Sequence, residues 1–324
     1  MIFGLYSFTN KTIIFQSDNI NYYIVNNLKK NIHSNNKNLI NICMALDNNQ
    51  IYSTLVSMVS ALENNPKEKN YLVYYILLSY DFNRTNIIKF EKLKSKYKFE
   101  INYYFIPRIF NGLSGWRNSQ AIYYKLIFPI INPELKRILY LDGDTLIFKD
   151  LYDLYNLPFN DKYILGAPAP YHNFPSKFHK NSTIFINVGV SLINIEKIIN
   201  DKKIFELLDF IIKYSDLFYL KEQDVILYFF SPNIGYLPYK YGIFIIDINV
   251  YKRLHFQKKY EEKEIIEAIN NPWITHLIFC DPKVWNKNTK SGHKIDYMCK
   301  KYQKIFYYYA KKTDYYEEIY KKYM

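Results

Sequence analysis

An α/β fold with a mainly parallel central sheet is what this sequence predicts, on three observations. From residue 39 onward, short runs rich in β-branched and aromatic residues alternate with stretches of helical periodicity, the pattern of a parallel sheet with crossover helices. Apolar content is 49%, with only 9 Gly and 12 Pro in 324 residues, which suits one large folded core and argues against disorder. An apolar run at 137–141 ends in paired aspartates, at the carboxyl end of a strand where open α/β sheets bind ligands.

Taken in order, residues 1–37 hold short apolar pieces between Asn, Asp, Lys and Ser and read as an appended segment ending in a polar stretch. A strand at 39–46 follows, then a helix at 51–63 with Leu55, Val56, Val59 and Leu62 at helical spacing, stopped by Asn64-Asn65-Pro66. Next come a strand at 71–78, a helical pattern at 85–97 and a strand at 101–106. A helix at 120–131 leads into the strand at 137–141. Downstream, 185–195 and 273–279 read as strands, and 203–214 and 222–230 as helices. From Asp296 the chain becomes helical, aromatic and basic, with no internal repeat or low-complexity linker.

The formal charge of +13 points to an anionic contact, or else to a solvated lysine-rich surface of the kind an AT-rich coding sequence produces. No nucleic-acid-binding motif is present, so a nucleic-acid partner is not expected. Cys43, Cys280 and Cys299 stand in no metal or redox spacing, which fits a reducing cytoplasm. Met1-Ile2-Phe3-Gly4 lacks the features of a signal peptide, and no apolar run reaches the roughly 18 residues of a membrane span. The expected location is cytoplasmic, with any membrane contact peripheral.

Asp142-Gly143-Asp144 carries the chemistry. Two carboxylates one residue apart can both reach a divalent cation and leave room for a phosphorylated ligand, although acidic residues after a strand also simply begin turns. Three other patterns line up with it in one order: Ala45-Leu46-Asp47-Asn48-Asn49 before it, then Asn187-Val188-Gly189 and Glu222-Gln223-Asp224, with His276 beyond. Together with the lead-in Tyr123-Tyr124-Lys125-Leu126, they resemble glycosyltransferase family 8 over about residues 38–285. Within it, the nearest resemblance is to bacterial lipopolysaccharide core glucosyl- and galactosyltransferases.

The resemblance implies a GT-A (Rossmann-like) domain at 38–285, flanked by the appended segment 1–37 and a basic aromatic helical tail at 286–324. It implies a UDP-sugar donor and Mn2+ or Mg2+ held by Asp142, Asp144 and His276, since oxygen with imidazole suits Mn2+. Ala45, Asp47 and Asn49 would hold the nucleotide, where the alternative for Asp47 is an Asx turn or helix cap. Gln50 stands near the position of the family's uracil-stacking aromatic. Lys125 replaces an arginine that contacts the nucleotide sugar, keeping charge without the guanidinium fork. Asn187 and Gly189 would meet the donor, and Gly143 would separate the metal ligands. Gly166-Ala167-Pro168-Ala169-Pro170 lies where relatives often place a sugar-binding aspartate.

Leu277 to Trp285 departs from the family's H-x-x-G-x-x-K-P-W motif, yet Lys283 still offers a point charge for the diphosphate. Glu222-Gln223-Asp224 stands for Asp-Gln-Asp, with Gln223 facing the anomeric carbon; Gln223, Asp224 and Lys125 are the expected catalytic set. Helix capping is the alternative for these acids. The implied activity is a retaining hexosyltransferase moving glucose or galactose to a saccharide acceptor, lipid-linked acceptors of lipopolysaccharide, lipooligosaccharide or capsule synthesis being the class the resemblance favours. A protein-glycosylating enzyme of the same fold and a non-catalytic nucleotide-sugar or glycan-binding protein are the rivals. The tail's lysines and tyrosines at 300–312 suit either an interfacial helix on anionic lipid or a helix packing its aromatic face on the domain.

Overall fold

The computed structural model describes residues 13–17, 20–24, 38–66, 69–110, 112, 113, 115, 119–168, 185–214, 217–244, 260–278, 280, 283–287 and 296–324. The appended segment therefore lies largely outside the described residues, as do Ala169, Pro170, Phe279, Asp281 and Pro282.

In chain order the elements are β1 (Ile13–Ser17), β2 (Ile20–Ile24), β3 (Asn38–Leu46), α1 (Ile51–Asn64), β4 (Asn70–Ser79), α2 (Ile87–Glu91), β5 (Glu100–Ile106) and α3 (Phe128–Ile131). They continue with β6 (Arg137–Leu141), β7 (Thr145–Ile147), α4 (Tyr152–Tyr155), β8 (Ile164–Pro168), β9 (Ile186–Asn194), α5 (Ile195–Asn200) and α6 (Lys203–Tyr214). Last come α7 (Glu222–Phe229), β10 (Ile234–Tyr236), β11 (Ile243–Phe244), α8 (Glu262–Asn270), β12 (Ile274–His276), α9 (Asp296–Ala310) and α10 (Tyr316–Tyr323).

Among the described residues the central sheet has 7 strands in the order β10-β8-β9-β6-β3-β4-β5. Its pairs are parallel except where β9 runs antiparallel to both β6 and β8. Residues alternate strictly between the two faces, as a pleated strand dictates: Leu72, Tyr74, Ile76 and Leu78 of β4 join one core, while Val73, Tyr75 and Leu77 join the other. Both faces are thus covered, which explains why these strands read as continuous apolar runs rather than alternating ones. A smaller sheet, β11-β12-β7, carries His276 beside the end of β6.

Two expected helices are tighter than their periodicity suggested. Residues 121–127 form a 3-10 helix and only Phe128–Ile131 is α-helical. Pro129 has no N–H to return to the Lys125 carbonyl, so a regular α-helical ladder cannot run through this point. The 85–97 pattern is likewise split into 3-10, α and 3-10 turns, while Phe90, Leu93 and Tyr97 still meet the core at helical spacing. α1 ends as expected, with Asn65 before Pro66 in an extended conformation at ψ 127°.

The tail packs on the domain. Cys299, Tyr302, Phe306 and Tyr309 of α9, with Tyr315 and Ile319, are buried in the same core as α1. Lys312 pairs with Glu63 at 2.5 Å, Lys89 with Glu318 at 2.6 Å, and Tyr309 Oη accepts from Asn64 at 2.9 Å. Cys280 and Cys299 are joined in a disulfide, Cα atoms 6.0 Å apart, a pairing their spacing did not suggest; Cys43 is free and buried. No helix among the described residues is long and apolar enough to cross a membrane.

Candidate active site

β6 ends in the aspartates, and β9, β12 and α7 bring the remaining groups to the same place. Asp142 is locked by its backbone N–H, which donates to the Gly189 carbonyl at 2.7 Å, and by Tyr140 Oη, which donates to Oδ1 at 2.9 Å. Asp144 Oδ1 lies 3.0 Å from His276 Nε2, and its Oδ2 accepts from Lys283 Nζ at 2.5 Å. His276 Nε2 is also 3.5 Å from Asp142 Oδ2. Burial opposes ionisation of Asp144, but the charges and hydrogen bonds of Lys283 and His276 hold its carboxyl well below the usual range.

One ligand atom from each of Asp142, Asp144 and His276 lies within 4.8 Å of the others. The imidazole is oriented for this. Asn187 Oδ1 accepts from Gly189 N–H at 2.9 Å and lies 3.2 Å from His276 Nδ1. An amide oxygen can only accept, so Nδ1 carries a proton toward Asn187, and Nε2 is the nitrogen turned toward both aspartates, where its lone pair would serve a bound cation. Lone pairs from three groups converging in this way are satisfied by a cation, and two carboxylates with one imidazole fit Mn2+ or Mg2+.

The two glycines act sterically. A Cβ on Gly189 would collide with the His276 ring and Asp142 Oδ2, so only glycine lets strand β9 pass behind the converging ligands. A Cβ on Gly143 would collide with the Thr54 hydroxyl of α1, itself buried with no hydrogen-bond partner. The space beside Gly143 is thus occupied by α1.

Behind the aspartates lies a buried charge cluster. Lys125 is 1% exposed, with Nζ 3.4 Å from Glu222 Oε1, 3.9 Å from Asp142 Oδ1 and 4.2 Å from the Tyr140 ring centroid. Burial pushes the Glu222 carboxyl up to about 7, the nearby Lys125 ammonium opposing and the Asp142 charge reinforcing the shift. Its Oε2 is buried without a hydrogen-bond partner. Gln223 Oε1 accepts from Asn187 Nδ2 at 3.4 Å, which ties α7 to β9. Asp224 is fully buried and its Oδ2 accepts the Leu220 N–H at 2.7 Å, closing the turn that starts α7.

At the end of β3, Ala45 is buried on the Tyr140 side of the sheet. Asp47 Oδ1 accepts from Asn49 N–H at 2.8 Å, and the Asp47 N–H donates to Gln50 Oε1 at 3.1 Å, so this loop is an Asx turn. β3 and β6 run parallel with Cys43 opposite Tyr140, which puts Asp47 and Asp142 beyond the carboxyl ends of two neighbouring strands. Tyr140 was not singled out from the sequence. Its signal was position, since a residue two before Asp142 in a strand shares its face.

The profile described as Glycosyl transferase family 8 matches residues 41–289. This chain belongs to glycosyltransferase family 8. Solved structures carry the same fold. The family 8 chain is similar to the galactosyltransferase LgtC in complex with donor and acceptor sugar analogs, at TM-score 0.66 and 16% identity over 85% of this chain and 96% of that one. It is similar to the bifunctional glycosyltransferase WbbM at TM-score 0.72 and 16% identity, covering 91% of this chain and 53% of that one. GlyE of Streptococcus pneumoniae TIGR4 aligns at TM-score 0.56 and 19% identity over 83% of this chain and 60% of that one. No curated protein sequence matches the chain. The GT-A fold of this family 8 member is therefore shared with transferases of low sequence identity.

Proposed function

We propose that this family 8 glycosyltransferase is a metal-dependent, retaining hexosyltransferase that moves glucose or galactose from a UDP-sugar to a saccharide acceptor. The observation that carries the reading is the convergence of Asp142, Asp144 and His276 within 4.8 Å of one another, beside the buried Lys125–Glu222 pair. When bound, Mn2+ or Mg2+ would neutralise the departing diphosphate as a Lewis acid.

Each residue then has a role that its contacts support. Asp47 and Asn49, with the backbone at Ala45, bind the uridine. Lys283 shifts from Asp144 to a diphosphate oxygen as a point charge. Lys125 holds Glu222 and Asp142 in place, and Glu222 Oε2, lacking a partner, takes a donor-sugar hydroxyl. Gln223, held by Asn187, faces the anomeric carbon. A neutral amide is a poor nucleophile, so the acceptor hydroxyl attacks from the leaving-group side. The bond from the anomeric carbon to the phosphate oxygen breaks, the bond to the acceptor oxygen forms, and the proton passes to the departing phosphate. The amide oxygen of Gln223 stabilises the positive centre. Asp224 acts by fixing the start of α7.

For the acceptor we infer a lipid-linked saccharide of lipopolysaccharide, lipooligosaccharide or capsule synthesis. Supporting a site at an anionic membrane face are the exposed Tyr308 and Tyr320 and the solvent-facing lysines of the tail. The test is UDP release from UDP-glucose, UDP-galactose, UDP-GlcNAc and UDP-GalNAc, with Mn2+ and after chelation. Metal-dependent release from one hexose donor is expected. Equal release after chelation, or none from any donor with saccharide acceptors present, would overturn the reading.

A further inference from the structure

The matched family region ends at residue 289, yet α10, beyond it, reaches the nucleotide end of the site. Lys322 Nζ lies 5.2 Å from the ring centroid of Tyr52, in the first turn of α1 and five residues after Asp47. Packing against α1 pulls the Lys322 pKa down, and the Asp47 carboxylate opposes that shift. Tyr323 meets Tyr52 edge-on, ring centroids 6.4 Å apart, and lies 6.0 Å from Trp285. Its carbonyl accepts the Lys287 N–H at 2.8 Å. Glu318 accepts from Tyr52 Oη at 2.7 Å and from Lys89 at 2.6 Å.

α10 is therefore fastened on one side to Tyr52, next to Asp47, and on the other to 285–287, just beyond Lys283. These two places flank the donor in the reading above. Position 50 offers no aromatic, and Gln50 Oε1 already accepts the Asp47 N–H. A cation held over an aromatic ring is already positioned at the surface, so it meets a polyanionic ligand with less ordering cost than a freely moving lysine does. Lys125 and Lys283 are both engaged by carboxylates, and Lys322 adds a third cation on the Asp47 side of the site.

We propose that the last turn of α10 forms a wall of the nucleotide pocket, with Lys322 contacting the diphosphate of the donor beside Asp47. The proposal rests on the UDP-sugar reading. It makes the tail part of the donor site, not only a packing or membrane element.

Calorimetric titration of the full chain with UDP and with uridine, Mn2+ present, tests it. Lys322→Ala is expected to weaken UDP binding about tenfold and uridine binding little, with Lys322→Arg restoring most of the UDP affinity and Lys321→Ala matching wild type. Unchanged UDP affinity in Lys322→Ala, or an equal loss for uridine, would overturn the diphosphate contact. Absence of UDP binding by the wild-type chain would instead sink the donor reading, and this contact with it. Lys322 is exposed, so its variants are expected to keep the wild-type melting temperature. A lowered one shared by Lys322→Ala and Lys322→Arg, with UDP affinity falling alike in both, would also overturn the contact, assigning the loss to packing.

Discussion

Nδ1 of His276 lies 3.2 Å from Oδ1 of Asn187, and the same oxygen accepts the Gly189 N–H at 2.9 Å. Strand β9 therefore holds the proton on Nδ1 of a residue on β12 and turns Nε2, the nitrogen left for a metal, toward Asp142 and Asp144. Outer partners of this kind are worth about 10- to 100-fold in metal affinity. Asn187→Ala is expected to weaken Mn2+ binding by that factor, read by calorimetric titration, with little change in melting temperature. Wild-type affinity in the variant would mean that other groups orient the ring.

Gly189 makes a sharper case, because its missing Cβ is what lets His276 and Asp142 approach. Gly189→Ala must push either the imidazole or the carboxylate aside, and overpacking of this sort costs about 1–3 kcal/mol. The expected result is a lower melting temperature together with lost Mn2+ binding. Retention of both would show that the strand can shift without disturbing the ligands.

Much of this arrangement was legible in the sequence because it depends on local spacing. The β6 strand, the aspartates after it and the Ile51–Asn64 helix follow from apolar period and stop signals read within one window. The antiparallel run of β9 was not legible, since nothing in its own residues distinguishes a parallel from an antiparallel neighbour. Strands β7, β10 and β11 are two or three residues long and carry no period of their own. The short strand β8 was not read from the sequence either, since Gly166 and Pro168 interrupt any strand pattern, yet they sit beside β9 with a register shift at Gly166/Ala167. In the site, the residue types were legible and their mutual contacts were not. The link from Asn187 to His276 spans 89 positions, and no spacing rule reaches that far.

Glu222 gives a pH signature. Its folded pKa of about 7 lies above the ordinary carboxylate value, so between those values the folded chain keeps a proton that the unfolded chain has released. Stability from this group is therefore complete below the unfolded pKa and lost as pH rises through the folded one, by up to about 3 kcal/mol. Metal-free wild type is expected to lose denaturant stability between about pH 5 and pH 7 relative to Glu222→Gln. Parallel pH profiles for the two proteins would count against a protonated Glu222.

Lys125 is the partner that limits this cost. Removing one member of a buried pair leaves the other charge uncompensated, typically at about 3–5 kcal/mol. Lys125→Met should destabilise the protein by that order at pH 8, where Glu222 is ionised, and less at pH 5, where Glu222 takes a proton. Chemical denaturation at the two pH values reads the difference. A loss that is the same at both would assign the role of Lys125 to packing against Tyr140 instead.

The tail offers the last test, because packing and membrane binding make opposite demands on the same aromatic residues. Phe306 is 1% exposed and lies 5.3 Å, ring to ring, from Trp285, while Tyr308 on the other side of α9 is 58% exposed. A buried phenylalanine cut to alanine loses both its transfer free energy and its packing, about 3–5 kcal/mol. An exposed tyrosine carries no such term, but on anionic lipid its ring and the neighbouring lysines can enter the interface. Phe306→Ala is therefore expected to lower stability by that amount, and Tyr308→Ala to leave stability within about 0.5 kcal/mol of wild type. Sedimentation with anionic vesicles should show the reverse order, with Tyr308→Ala weakening binding more than any residual effect of Phe306→Ala in the folded fraction. If Phe306→Ala left stability unchanged, α9 would not be part of the folded core, and its aromatic face would be free for lipid.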